Sequence, residues 1–182
     1  TPTTSSAASD VYKRQDQQGI CHVVLPERGH LSPGMFCVGG DSHSPTGGAF
    51  GANMFVIGAT EMAGVLATGK IWIKVPETIL IKWAGQTDAF VTAKDMMLAT
   101  CAKIGMGGGR YQAIQYAGEA IHKLNMQERM TMSNMAAELG AQAGLISPDE
   151  TTIEYLKSVN ASIPDNWKNF QIEKPDPKGE VI

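Results

Sequence analysis

An α/β fold is predicted by three observations on this 182-residue chain. Short apolar, β-branched runs alternate with segments that carry helix-start signals, and glycine-rich turns separate the two. The composition, 43% hydrophobic and 18% charged with 20 glycines and 9 prolines, is that of a globular domain rather than a disordered or collagen-like chain. Strands that alternate with helices belong in a largely parallel sheet, because each parallel strand is reached through a crossover.

Taken in order, residues 1–18 form a polar lead. Six Ser or Thr fall within its first nine residues, and Lys13 to Gln18 is wholly polar. The stretch Ser5 to Gln15 resembles translated adaptor sequence, so the lead is expected to be non-native or disordered and to lie outside the fold, and it has no apolar core of a signal peptide. Ile20 to Leu25, apolar apart from Cys21 and His22 and closed by Pro26, predicts a first strand. Met35 to Val38 predicts a second, entered from the turn Ser32-Pro33-Gly34, and Met54 to Ile57 follows a glycine-broken stretch. Thr60 is expected to cap a helix through Thr68, with Gly69 as its stop. In Thr78 to Trp83, Ile79, Ile81 and Trp83 share one side while Leu80 makes the other apolar as well, which predicts a strand buried on both faces.

Thr92 and Asp95 have the spacing of a capping box, and Ala93, Met97, Cys101 and Ile104 recur at helical spacing, so a helix is expected to bury Cys101. The glycine-rich turn Gly105 to Arg110 is read as the connection into Tyr111–Tyr116. It lacks the register of a nucleotide-binding loop. Met132 to Gly140 predicts a short helix with Asn134 and Glu138 on one face, and Met126, Met130, Met132 and Met135 read as core filling. Ser147-Pro148-Asp149-Glu150 is read as an N-cap, a first-turn proline and an acidic third position. Domain organisation is therefore the lead 1–18, one partial domain over 19–170, and a loop over 171–182 that ends where another strand might start.

Composition also excludes function classes. A formal net charge of −3, with no run of Lys or Arg longer than two, is no nucleic-acid footprint. No uncharged apolar run reaches the length of a membrane span. Three cysteines, Cys21, Cys37 and Cys101, have no paired spacing, which argues against a disulfide framework and for a reducing, cytoplasmic setting.

The densest chemistry lies in Gly39-Gly-Asp-Ser-His-Ser-Pro-Thr-Gly-Gly48, after a predicted strand, where ligands of α/β proteins bind. Asp41 and His43 are two apart and would share a proton as an acid/base unit if extended geometry persisted; an Asx turn with a surface histidine is the alternative. His22 reads either as a satisfied core or edge histidine or as a partner for Asp41. Glu138 reads either as a pocket carboxylate or as a solvent-facing one. His22, His30, Asp41 and His43 have zinc-ligand chemistry but match no compact signature.

With these residues in view, the chain resembles the large-subunit catalytic domain of the aconitase superfamily, especially the 3-isopropylmalate dehydratase group. The resemblance rests on Gly19 to Glu27, Gly40-Asp-Ser-His-Ser44, Gly47 to Gly51, Gly58 to Gly69, Val91 to Asp95, Arg129 to Ala141 and Gly144 to Thr151. Together they span about 150 residues in the family's order.

The resemblance implies a three-layer α/β/α iron–sulfur domain, partial here, and a hydro-lyase or isomerase acting on isopropylmalate in leucine biosynthesis. Its sister substrates are dimethylmalate, homoaconitate, methylmalate and citrate. It implies a [4Fe-4S] cluster whose labile iron activates the substrate hydroxyl, with a small hydroxy di- or tricarboxylic acid and a small swivelling subunit or domain as partners. Carried over position by position, Asp41, His43, Glu138 and His22 are the catalytic residues, and Ser42, Asn134 and Thr46 lie near substrate or cluster. Thr46 stands where aconitase-like members have asparagine, and Gly109-Arg110 where relatives often have Gly-Thr-Gly. The family's Ser-Cys-Thr-Asn segment and Cys-x-x-Cys pair are absent, so the cluster cysteines are expected beyond Ile182. The chain is expected to be a fragment that is inactive alone. A non-catalytic binding module that has lost its cluster is the alternative reading.

Overall fold

The computed structural model describes residues 19–171, 173, 174, 176 and 179–182. The expected disordered lead lies outside the described residues. The chain builds a mixed α/β fold from two parallel sheets. β1 (Phe36–Gly39) pairs with β2 (Asn53–Val56), and β3 (Thr78–Lys82), β4 (Ala113–Ala117) and β5 (Ala143–Ile146) form a second sheet in that order. Parallel pairing requires crossovers: α3 (Ala93–Ile104) joins β3 to β4, while α4 (Glu119–His122) and α5 (Met126–Asn134) join β4 to β5. The segment Glu180–Ile182 runs parallel to β3 on its other edge, where Leu80 N–H donates to the Glu180 carbonyl and Ile182 N–H donates to that of Leu80, each at 2.9 Å. The contact is a single bridge, Leu80 to Val181, rather than a strand.

β3 is buried on both faces as its pattern predicts, with Ile79, Leu80 and Ile81 each no more than 4% exposed. Ile79 and Ile81 join Met97, Ile114, Tyr116, Met132, Leu139 and Ile146 in the main core. A second core gathers Leu31, Phe50, Met54, Met126, Ile153 and Leu156. Between the two runs a 3-10 segment, Ser44–Phe50, all of it buried. It packs on α5 and β5, and Gly48 lets it do so: a Cβ there would collide with the Gly144 carbonyl oxygen of β5.

Local signals hold where the chain satisfies its own backbone. Thr92 accepts from Asp95 N–H and Asp95 returns the contact, so α3 starts as its box predicts, and Cys101 lies part-buried against the main core. α2 (Ala59–Thr68) stops at Gly69, whose φ of +66° is the left-handed cap. Its cap is Gly58 rather than Thr60, because Glu61 reaches back to accept from Gly58 N–H at 2.7 Å. Met126 and Met132 are buried as core filling, with Met130 and Met135 packed against the two cores.

Four further expectations are corrected. Residues 20–25 are helical, not extended: α1 spans Cys21–Glu27, with Val24 N–H donating to the Ile20 carbonyl at 2.9 Å. β-branched residues disfavour a helix by only tenths of a kcal/mol, so packing against the 3-10 segment overrides them. The helix expected over 132–140 ends at Asn134 as part of α5. Residues 135–140 are turns closed by i to i+3 bonds, such as Glu138 N–H to the Met135 carbonyl at 3.2 Å. The cap of α6 (Glu150–Ser158) is Asp149, not Ser147, since Asp149 accepts from Thr152 N–H at 3.2 Å while the Ser147 hydroxyl accepts from Gln115 at 3.0 Å. The strand expected from Tyr111 begins at Ala113, because Arg110 and Tyr111 take positive φ (43° and 58°) on leaving the glycine-rich turn.

Among the described residues, no helix is long and apolar enough to cross a membrane.

Candidate active site

β1 ends at Gly39, so Asp41 and His43 do not lie on a continuing strand. Instead Asp41 Oδ1 accepts from the His43 backbone N–H at 2.8 Å, an Asx-type turn that launches the 3-10 segment. The side chains of Asp41 and His43 stand 3.8 Å apart at Oδ1 and Nδ1, so they do not share a proton directly. The pairing expected between them is replaced by two others. His43 Nε2 meets Glu138 Oε1 at 3.1 Å across 95 residues of sequence, and His22 Nδ1 lies 3.6 Å from Asp41 Oδ1.

The partners of His43 fix its tautomer. A carboxylate only accepts, so Nε2 carries the proton toward Glu138. Nδ1 then accepts from the Ser42 hydroxyl at 3.0 Å. His22 projects from α1 with its ring 6.2 Å from that of His43, centroid to centroid, and its side chain is 17% exposed. The helix that sequence reading missed is thus what presents His22 to the loop. Asn134, the last residue of α5, donates from Nδ2 to Thr46 Oγ1 at 2.9 Å, and Thr46 donates to the His43 carbonyl at 2.7 Å. This chain of bonds ties α5 to the same loop that carries His43.

All seven residues singled out from the sequence, His22, Asp41, Ser42, His43, Thr46, Asn134 and Glu138, are therefore linked by short contacts. Asp41, His43 and Glu138 side chains remain between 35% and 49% exposed, open to a ligand. Glu138 is asymmetric: Oε1 holds His43, while Oε2 is buried with no hydrogen-bond partner among the described residues. A cleft of about 300 Å³ adjoins the cluster and is lined by His22, Thr46 and Asn134 with Val23, Met130 and Tyr155. A larger cleft, about 680 Å³, lies away from it between Trp72, Lys74, Arg110 and Tyr111 and holds none of the seven. The arrangement can deliver or accept a proton at an oxygen placed against the imidazole, with a carboxylate behind it to stabilise the charged ring.

Sequence reading passed over Arg129 except as part of a longer motif. It is fully buried, and its guanidinium donates to Asp149 at 2.6 and 2.7 Å, to the Leu124 and His122 carbonyls at 3.0 and 3.1 Å, and to Thr152 Oγ1 at 3.3 Å. Burial pushes the Asp149 carboxyl up, but the Arg129 hydrogen bonds and charge outweigh it and hold it below the ordinary carboxylate range. The five-residue offset between Arg129 and the end of α5, where Asn134 sits, makes this the anchor that sets the helix from which Asn134 reaches the loop.

The sequence matches known proteins over most of its length. The model of the aconitase family (aconitate hydratase) matches residues 4–175. The chain belongs to the aconitase family. Within that family it is 48% identical over 141 residues to a 3-isopropylmalate dehydratase large subunit of Methanopyrus kandleri, which covers 78% of this chain and 34% of that protein. It is 49% identical over 141 residues to a probable methanogen homoaconitase large subunit of Methanosarcina mazei, covering 78% of this chain and 36% of that protein. Against the 3-isopropylmalate dehydratase large subunit of Aquifex aeolicus it is 43% identical over 162 residues, 89% of this chain and 37% of that protein. The chain thus spans about a third of the length of these curated relatives.

The cysteine chemistry that an aconitase-family cluster requires is not assembled by these residues. Cys21 lies on α1, Cys37 on β1 and Cys101 on α3, all free and part-buried, and Cys21 is on a helix rather than the strand expected for it. Burial pushes the Cys37 and Cys101 thiols up, away from the thiolate a cluster iron needs. Among the described residues, no group of three or more His, Cys, Asp or Glu is placed to hold a metal ion, a zinc site at His22, His30, Asp41 and His43 included.

Proposed function

We propose that this chain supplies the acid/base wall of a hydro-lyase that removes and re-adds water on a branched hydroxy diacid, isopropylmalate first among them. The observation that carries the reading is the His43–Glu138 contact, which brings together two residues 95 apart at an open cluster. In its charged form His43 delivers the Nε2 proton to the departing hydroxyl, which leaves as water, and the ring is left neutral with its Nδ1–H on Ser42 Oγ. In the reverse direction Nε2 takes a proton from the attacking water and the ring is charged again. Glu138 stabilises the ring while it is charged, and Ser42 keeps Nδ1 occupied so that Nε2 does the exchange. Asp41, held near His22, shapes the turn that aims the imidazole. The proton on the neighbouring carbon goes to a base outside this chain, on the small swivelling subunit or domain.

The remaining parts of the reading rest on family membership and on the relatives' length. The complete protein is proposed to hold a three-layer α/β/α domain with a [4Fe-4S] cluster, whose cysteines come from polypeptide other than these residues, and to work in the cytoplasm. The domain proper is proposed to be 19–170, with 1–18 a lead and 171–182 a connecting loop. Alone, the chain is proposed to be inactive. Homoaconitate is the second substrate reading, because a homoaconitase large subunit is as similar to this chain as a dehydratase one.

The test is turnover of isopropylmalate, homoaconitate, dimethylmalate, methylmalate and citrate by the cluster-loaded large subunit containing this segment, joined to its small subunit. Fastest turnover is expected on isopropylmalate, with His43→Gln lowering it about 10²–10⁴-fold. Turnover on citrate alone would contradict the substrate, and turnover indifferent to His43 would contradict the site.

A further inference from the structure

Five buried side-chain atoms stand without a hydrogen-bond partner among the described residues, Asn53 Oδ1, Trp83 Nε1, Ser133 Oγ, the Tyr116 hydroxyl and Glu138 Oε2, and the last two concern the site. Buried polar groups in folded proteins are paired nearly always, and an unpaired one costs more than the bond would contribute. Tyr116 lies on β4 and is 0% exposed. It packs in the same cluster as Ala136 and Leu139, which flank Glu138 in the turn after α5, and Cys101 borders that cluster from α3. The two atoms are complementary, since a phenol donates and a carboxylate only accepts.

We propose that Tyr116 is a positioning residue for Glu138, its phenol O–H supplying the donor for the inward carboxylate oxygen, through one bridging water, while the outward oxygen holds His43. The idea rests on the reading of His43 and Glu138 as a working pair. A water between a buried donor and a buried acceptor satisfies both, and a bridged bond is nearly as good as a direct one. Burial, followed by the charges of Cys101 and Glu138, pushes the Tyr116 phenol above its usual range, which favours the protonated, donating form. With Oε2 anchored, Oε1 faces His43 in one orientation, and the imidazole keeps its proton on Nε2 with Ser42 at Nδ1. Without that anchor the carboxylate swings, and the tautomer preference of His43 weakens.

The test is nuclear magnetic resonance on the full chain. In the wild type, the ¹⁵N shifts of His43 are expected to report mainly the Nε2–H tautomer. In Tyr116→Phe, which keeps ring and packing, they are expected to move toward an even mixture. A purely structural role for the ring leaves the tautomer ratio unchanged, and that result overturns the proposal. The wild-type Tyr116 hydroxyl proton supplies a second readout that needs no change at position 116. It is expected to exchange slowly, and about tenfold faster in Glu138→Met, the effect of losing one charge-assisted bond. Equal exchange in the two proteins overturns the proposal as well. If His43 shows no Nε2–H preference even in the wild type, the working pair fails and takes this inference with it. A wild-type preference that survives Tyr116→Phe removes Tyr116 alone.

Discussion

Two charged assemblies flank the ends of the same helix, α5, and they are built to opposite rules. Around Arg129 the guanidinium donates five hydrogen bonds, the side chain is fully buried, and its carboxylate partner Asp149 is engaged at both oxygens. Around His43 the Asp41, His43 and Glu138 side chains are each 35% exposed or more, Asp41 touches His22 only at 3.6 Å, and Glu138 leaves one oxygen without a partner among the described residues. The first assembly spends its hydrogen-bonding capacity on the fold. The second keeps its acid and base side chains open to solvent, which is what a group awaiting a ligand requires. The difference separates anchor from site more sharply than residue type does, since both contain a histidine and a carboxylate.

The comparison is broken most severely at the anchor. Arg129→Leu strips the part-buried Asp149 of its guanidinium partner and leaves the Leu124 and His122 carbonyls without their donor, and is expected to destabilise the chain by about 3–5 kcal/mol in a denaturant titration. Unchanged stability would show that the two assemblies are not different in kind. Next in size is the packing that joins them. Gly48→Ala drives a methyl into the Gly144 carbonyl oxygen, and a loss of about 1–3 kcal/mol is expected.

Acid provides a smaller perturbation of the anchor. Because Asp149 is held below its ordinary value in the fold, the stability it contributes is complete above the ordinary carboxylate range near about pH 4. That stability drains as pH falls through the depressed folded value. Melting curves between neutral and strongly acidic pH are expected to show this acid-side loss in the wild type and a reduced one in Asp149→Asn. The smallest effect belongs to the site itself. His43→Gln and Glu138→Gln are each expected to change stability by no more than about 0.5 kcal/mol, since neither removes a satisfied buried network. A loss as large as that of Arg129→Leu would reassign the pair to the fold.

What was legible in the sequence was local. The Thr92–Asp95 box, the Gly69 stop and the doubly apolar strand at Thr78–Lys82 are determined by neighbours within a few residues, and each stands in the structure. The first helix was not legible, because Val23 and Val24 favour a strand only weakly and the deciding contact is with the 3-10 segment, 20 or more residues on. The site was legible as a set of residues and illegible as a set of partners. Asp41 and His43 are neighbours in sequence, yet the Asx turn points the carboxylate at the backbone and leaves the ring to Glu138. Asn134 and Glu138 were expected on one helical face, but the helix ends between them, and it is the turn at 135–140 that brings Glu138 up to the imidazole. Arg129 gave no signal at all, as an isolated basic residue on a helix is usually solvated.

The central claim is that His43 and Glu138 act as one unit, and a double-mutant cycle on turnover by the complete cluster-loaded enzyme tests it most directly. If the pair is a unit, His43→Gln combined with Glu138→Gln loses no more activity than the worse single change. Losses that multiply, each residue costing its full factor in the other's absence, would contradict the claim.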